Sequence, residues 1–349
     1  MSADGKKLNA DAPLLEVENL HVEFDTYGGT VEAVRGVDFT VEQGQTLAIV
    51  GESGCGKSVT VQSIMGLIPM PPGRITAGSA RLRGHEVLGR NRIDGKEIRG
   101  REIGMIFQDP MTSLNPTMSI GAQIAEPLQV HRGYSATDAF AEAVRLLEMS
   151  KIPEAAKRAR QYPFKFSGGM LQRAMIAMAI SCKPSILIAD EPTTALDVTI
   201  QAQILDLMQA LQKETGMAII LITHDLGVVA RMADEVAVMY AGRVVEYGSA
   251  DDVFYRSAHP YTVGLKEAMP TNDPALQHEL KPIEGSPPDL FAPPRGCGYC
   301  ARCPHAMQVC DVQPPSDHFL HDHHFSRCWL HHEQAPIKPE TIYFKDAKA

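Results

Sequence analysis

Residues 48–58 read AIVGESGCGKS, an apolar run leading into the spacing G-x-x-x-x-G-K-S. Gly51, Gly54 and Gly56 let the main chain wrap closely round a phosphate, and the loop N–H groups with a helix start behind them favour anions. Ser53, Cys55 and Val59 fall within the same wrap, with Cys55 at a variable position where a small side chain suffices. Lys57 would reach the β- and γ-phosphates, and the Ser58 hydroxyl would hold Mg2+. A chance match to this spacing in such a chain is on the order of one in a hundred. The implied ligand is a nucleoside triphosphate.

Two further stretches supply what such a loop lacks. In SILIADEPTTALD an apolar run delivers Asp190 and Glu191. Asp190 suits the Mg2+-holding acid, and Glu191 can orient and deprotonate an attacking water. By themselves two adjacent acids would read as a solvated turn; beside the glycine loop they read as its partner. MAIILITHD ends a second apolar run on His224, placed to face the γ-phosphate. Between the two motifs, KFSGGMLQR sets Ser167, Gly168 and Gly169 before a helical stretch, a second nest of backbone donors.

Something must carry these groups to one edge. LLEVENLHVEF and VEAVRGVDFTV alternate as strands of a small antiparallel sheet, leading to the buried strand TLAIVG. A helix is expected over 58–67, strand over 80–108, and helices over 137–150 and 168–181. Then SILIADE, TIQAQILDLMQALQKETG, MAIILITH and LGVVARMADE alternate strand and helix, which implies a parallel α/β sheet. The meander EVAVMYAGRVVEYG closes it. Past Ala258 proline and glycine rise and helical periodicity fades, placing a boundary near 255–260.

The chain has 349 residues, 44% of them hydrophobic, enough for a full core. A net charge of −9 argues against non-specific nucleic-acid binding. No apolar run of about 18 residues is present to span a membrane, and MSADGKKLNADAP lacks the apolar region of a secretory signal. The expectation is a cytoplasmic protein with residues 1–13 disordered.

Taken together, GESGCGKS, Gln108 in MIFQDP, FSGGM, ILIADEP, the loop Ala195–Asp197 and His224 resemble the ATP-binding cassette ATPases over about residues 14–255. The resemblance implies an α/β fold: a P-loop domain with a RecA-like parallel sheet, an antiparallel β subdomain and a helical subdomain. It also implies a head-to-tail dimer in which Ser167 and Gly169 contact the nucleotide bound by the partner, and Asp197 communicates across the dimer. Gln108 would sense Mg2+ and water and link them to membrane subunits. Tyr27, with Phe24 second, is the candidate for stacking on adenine. Met170 stands where the family signature usually has Gln.

QDPMTSLNP, DEPTTALDVTIQAQI, THDLGVVA and the tail from GRVVEYG through GCGYCARCPHAMQVC are similar to ATPase subunits of bacterial oligopeptide and dipeptide importers. That implies an ATPase domain over 14–258, a C-terminal extension over 259–335 and a short tail over 336–349. The partners implied are a second related ATPase, two transmembrane permease subunits and an extracytoplasmic peptide-binding protein. The place implied is the cytoplasmic face of the cell membrane.

Five of seven cysteines, Cys297, Cys300, Cys303, Cys310 and Cys328, lie in the last fifth of the chain. Cytoplasmic disulfides are rare, so this crowding points to a metal or cluster. Cys297, Cys303, Cys310 and Cys328 would suit either a [4Fe–4S] cluster or zinc. The family resemblance favours iron. Cys300 is an extra thiol that leaves the ligand set open. HFLHDHHF reads as a solvated polar tail, with His318, His321, His323 and His324 as competing ligands.

Three other readings stand beside this one. A soluble cassette protein of ribosomes or DNA ends would carry two cassettes or a long coiled coil, and neither is present. An importer of nickel or a glycopeptide would share the same cassette. A redox-sensing tail would share the same cysteines.

Overall fold

The computed structural model describes residues 12–89, 93–194, 196–269, 281–321 and 323–337. Residues 1–11 of the segment expected to be disordered, Ala195 of the ALD loop and residues 338–349 of the tail lie outside them.

The chain begins with strands β1 (Leu15–Thr26), β2 (Gly29–Val41) and β3 (Thr46–Val50), then helix α1 (Lys57–Ile64). β4 (Gly73–Leu82), β5 (His85–Glu86), α2 (Gly95–Ile98) and β6 (Ile103–Ile106) follow. The helices α3 (Pro110–Ser113), α4 (Ile120–Arg132), α5 (Ala136–Met149), α6 (Ala155–Arg158) and α7 (Gly168–Ala179) come next. Strands and helices then alternate as β7 (Ile186–Asp190), α8 (Val198–Thr215), β8 (Ala218–Thr223), α9 (Leu226–Met232) and β9 (Glu235–Tyr240). After β10 (Arg243–Ser249) come α10 (Ala250–Tyr255), α11 (Pro260–Glu267), α12 (Gln308–Val312), β11 (His318–His321) and β12 (His324–Ser326).

The antiparallel sheet expected near the N-terminus has the order β2-β1-β4-β5. Period-two alternation along β1 buries Leu15, Val17, Leu20 and Val22 against the second sheet's core. That second sheet has the order β11-β12-β10-β9-β3-β8-β7-β6. β3 pairs in parallel with β8 and β9, and β7 with β6 and β8. Every residue of β3, β7 and β8 is buried, which is why these strands read as continuous apolar runs. α4, α5 and α7 pack together through Ile120, Ile124, Leu146, Leu147, Met175 and Ile176 to form the helical subdomain.

Two expectations change. Strand does not run through 80–108: the chain turns at Gly84, and Asp94 accepts from the Lys96 N–H to start α2 before β6 begins. A side chain that caps a helix turn competes there with the sheet ladder. The meander of β9 and β10 does not close the sheet, because β12, from beyond the compositional change, pairs with β10 through Glu246↔Ser326 and Tyr247↔Phe325. The rings of Tyr240, Tyr261 and Tyr299 lie 4.5–5.4 Å apart and join the tail to the main sheet.

Candidate nucleotide site and cysteine cluster

β3, β6, β7 and β8 run in parallel and end at one edge, where open α/β sheets bind ligands. β3 opens into the glycine loop. A Cβ on Gly51 would sit 2.2 Å from Met239 O, and one on Gly56 2.4 Å from Ala33 O, so close backbone packing holds the loop's two ends. Gly54, at φ +80°, faces open space. The Lys57 ammonium is buried and donates to the carbonyls of Gly51 at 2.8 Å and Glu52 at 2.9 Å. Ser53 is exposed, whereas Cys55 turns into the core, where burial raises its thiol pKa. Val59 also packs on that core.

Ser58 Oγ donates to Asp190 Oδ1 at 2.9 Å, joining the glycine loop to the end of β7. Burial raises the Asp190 pKa, while this hydroxyl pulls it down and Glu191 adds to the rise. A buried carboxylate beside a hydroxyl and an ammonium is a site a divalent cation would relieve. Glu191 has φ +47°, a left-handed backbone uncommon for a non-glycine residue and of the kind stored at functional sites. Three side chains hold its carboxylate. Gln108 Nε2 donates to Oε2 at 2.8 Å, Thr194 Oγ1 donates to the same oxygen at 3.0 Å, and His224 Nδ1 lies 3.4 Å from Oε1. Lys57, Ser58, Asp190, Glu191, Gln108 and His224 thus meet at one edge. The constellation can bind triphosphate with Mg2+ and present a base to water.

The remaining residues lie elsewhere. Ser167 caps α7 by accepting from the Met170 N–H; Ser167 and Gly168 are exposed, and Gly169 is half-buried. Met170 itself packs on the helical core. Asp197 caps α8 at Ile200 N, 2.9 Å away. Among the described residues no hydrogen bond joins Ser167–Gly169 or Asp197 to the glycine loop. Tyr27 is fully exposed at the β1–β2 turn, whereas Phe24 packs against the core.

Sequence reasoning missed Thr194, whose hydroxyl has no motif of its own, and a contact from the tail. Arg302, only 6% exposed, forms a two-pronged ion pair with Glu52 of the glycine loop, Nη1–Oε2 2.7 Å and Nη2–Oε1 3.1 Å. Arg302 Nη1 also donates to Tyr240 Oη at 3.1 Å. The Glu52 N–H donates to Tyr261 Oη at 2.9 Å. The tail therefore grips the phosphate loop from behind. No local pattern marks a pair separated by this much chain.

The seven cysteines are all free thiols. Cys297, Cys303, Cys310 and Cys328 are near enough that their charges act on one another. Cys300 acts on Cys297 and Cys303, and Cys310 acts on Cys300. Burial pushes Cys297 up to about 12 and Cys303 up to about 11, and it raises Cys328 as well. Against that, a backbone N–H two residues on donates to sulfur in each case: Tyr299 to Cys297, His305 to Cys303, Leu330 to Cys328. Such donors favour thiolates, and buried thiolates need a cation. The residues present therefore fit a thiolate-bound metal centre.

HFLHDHHF is largely exposed, as expected, but it is not an unstructured tail. It forms the β11–β12 hairpin on the main sheet, and His324 is buried. His323 has a left-handed backbone, φ +64°, at the turn.

A glycine loop after a parallel strand, an acidic pair at the end of a second parallel strand one place further along the sheet and a buried lysine within the loop define a P-loop nucleoside triphosphatase. The family model described as "ABC transporter" matches residues 34–194. That described as "Oligopeptide/dipeptide transporter, C-terminal region" matches residues 245–310. The chain is 53% identical over 322 residues to a dipeptide transport ATP-binding protein of Bacillus subtilis, covering 92% of this chain and 96% of that one. It is 54% identical over 306 residues to an oligopeptide transport ATP-binding protein of Salmonella typhimurium, covering 88% and 90%. Among solved structures, a post-hydrolysis dimer of an ATP-binding cassette bound to ADP and Pi superposes with TM-score 0.60 at 26% identity, over 68% of this chain and 98% of that one. The chain belongs to the ATP-binding cassette ATPases of the oligopeptide/dipeptide transporter family. It is an ATP-hydrolysing transporter subunit that binds ATP with Mg2+. Among the described residues, no helix is long and apolar enough to cross a membrane.

Proposed function

We propose that this subunit powers peptide import through permease partners, from the cytoplasmic face of the cell membrane. The observation that carries the reading is the convergence of Lys57, Ser58, Asp190, Glu191, Gln108 and His224 on one edge, in a chain whose tail also matches the peptide-transporter family. The relatives' names supply the solute class.

In the proposed cycle, Gly51, Ser53, Gly54, Gly56 and Val59 wrap the phosphates and Lys57 neutralises the β/γ pair. Cys55 contributes its backbone, since its side chain faces the core. Ser58 and Asp190, with Gln108, would hold Mg2+, which supplies charge neutralisation of the γ-phosphate. Glu191 takes the proton from the attacking water, and His224 and Gln108 hold Glu191 in place. Ser167, Gly168 and Gly169 close over the nucleotide of a second, related ATPase, and Asp197 lies at that interface. The exposure of Ser167, Gly168 and Asp197 and their separation from the chain's own glycine loop support this arrangement. Tyr27 stacks on adenine. Closure moves two permease subunits docked near Gln108, and an extracytoplasmic binding protein delivers the peptide. No nucleic acid is involved.

Cys297, Cys303, Cys310 and Cys328 would hold a [4Fe–4S] cluster, which would add a cross-link and a one-electron centre to the tail. The match of the tail to the peptide-transporter family is what supports a cluster over zinc. Cys300 stands outside the set.

The test is reconstitution with permease subunits in vesicles. ATP-dependent uptake of a labelled peptide supports the reading. Uptake of nickel or a glycopeptide, with no peptide uptake, would overturn it.

A further inference from the structure

The β11–β12 hairpin brings a second set of metal-type donors together, apart from the cysteines. Among the described residues, Asp252, His321 and His324 form a group whose donor atoms all lie within 4.8 Å of one another. His321 Nε2 is 3.1 Å from Asp252 Oδ1 and 3.3 Å from His324 Nδ1, and His324 Nδ1 is 3.9 Å from Asp252 Oδ1. Zinc with bonds of about 2.0–2.1 Å in a tetrahedron spaces its donors about 3.3 Å apart. The trio is already close to that spacing.

The tautomer of His324 is set from behind. Glu246 is fully buried; its Oε1 accepts from Ala258 N at 2.7 Å and its Oε2 from His259 N at 2.9 Å. Oε1 also lies 3.1 Å from His324 Nε2. A carboxylate oxygen accepts, so the proton sits on Nε2 and the Nδ1 lone pair points into the trio. A carboxylate behind an imidazole is the arrangement that orients metal-binding histidines. Asp252 and His324 are nearly buried, whereas His321 is 45% exposed and leaves the fourth position open to water. Asp252 and Glu246 supply two negative charges against a dication. One competitor is present: Arg256 donates to the same Asp252 Oδ1 through both Nε, at 2.8 Å, and Nη2. Its side chain is 56% exposed, so solvent screens that pair and the guanidinium has room to swing away when a dication binds.

We propose that Asp252, His321 and His324 bind one divalent transition-metal ion, zinc by its ligand set, pinning the hairpin to α10 and to β10. The test titrates the full-length protein with Co2+, followed by displacement with Zn2+. Cobalt at a nitrogen–oxygen site gives weak visible bands, whereas cobalt on thiolates adds strong near-ultraviolet charge transfer, so the site is read separately from the cysteines. The expected result is one equivalent with the weak bands alone. His321→Ala, an exposed change that leaves the circular dichroism unaltered, should weaken that Kd at least tenfold. Arg256→Gln should tighten it. Unchanged affinity in H321A, or cobalt seen only on thiolates, overturns the site. Weaker binding in R256Q would remove Asp252 from the ligand set and overturn it as well.

Discussion

In the nucleotide site the reactive side chains hang from the ends of β3, β6, β7 and β8, adjacent parallel strands buried along their length. In the tail, Cys297, Cys303, Cys310 and Cys328 sit on turns and short helices, and the main supports are the β10–β12 pairing, the tyrosine cluster and the Arg302–Glu52 pair. The first region is preorganised by the sheet. The second has little core of its own and depends on what it docks against and on what its ligands bind. The two meet at Glu52, whose carboxylate pairs with Arg302 and whose N–H donates to Tyr261, both residues of the tail.

The largest break in that comparison is expected at Glu191. Glu191→Gln should lower kcat by about 10²–10⁴-fold, the range of general-base catalysis, and trap an ATP-bound dimer measurable by gel filtration. Wild-type turnover would reassign the base. Lys57→Ala should cost the phosphate cradle its buried cation, and nucleotide affinity measured by calorimetry should fall at least tenfold.

The tail is tested next. Cys303→Ser should lose iron, measured by metal analysis and absorption, while Cys300→Ser should keep it; equal loss in both would make Cys300 a ligand. Arg302→Ala should destabilise by on the order of a few kcal/mol, because Glu52 is left partly buried without its cation. It should also raise the KM for ATP while leaving the Glu191 chemistry intact. A shift in Tm without a shift in KM would show that the contact is purely structural.

The smallest effect is a pH slope. Burial, with His331 adding to it, pushes His259 down to about 3 from its usual 6.5. The unfolded chain binds this proton below about 6.5 and the folded one only near 3, so stability is full above 6.5 and falls as pH drops through that window. The loss by pH 4 is of the order of a few kcal/mol. His259→Asn, which can still cap α11, should flatten the slope of Tm between pH 6.5 and pH 4.

Much of the nucleotide site was legible because its parts are contiguous. AIVGESGCGKS, ILIADE and LITHD each carry both the strand and the residue it delivers. Their order along the chain, alternating with helices, already implied one edge of one sheet. The 80–108 stretch was misread because Gly84 and Asp94 each break a run that apolar pattern alone would continue. The hairpin escaped for a related reason: of its four histidines only His324 is buried, and only because β12 finds β10.

By itself, then, the sequence determined the phosphate loop, the acidic strand end, the α/β order and the crowding of cysteines. These rest on local periodicity and spacing, which the chain carries before it folds. Only the tertiary structure decided that Arg302 reaches Glu52, that Thr194, Gln108 and His224 converge on Glu191, and that His324 faces Asp252 with Glu246 behind it. Apart from Thr194, three residues from Glu191, each of those contacts joins residues far apart in the chain, whose separation carries no periodic signal, and they meet only when the sheet brings its strand ends together.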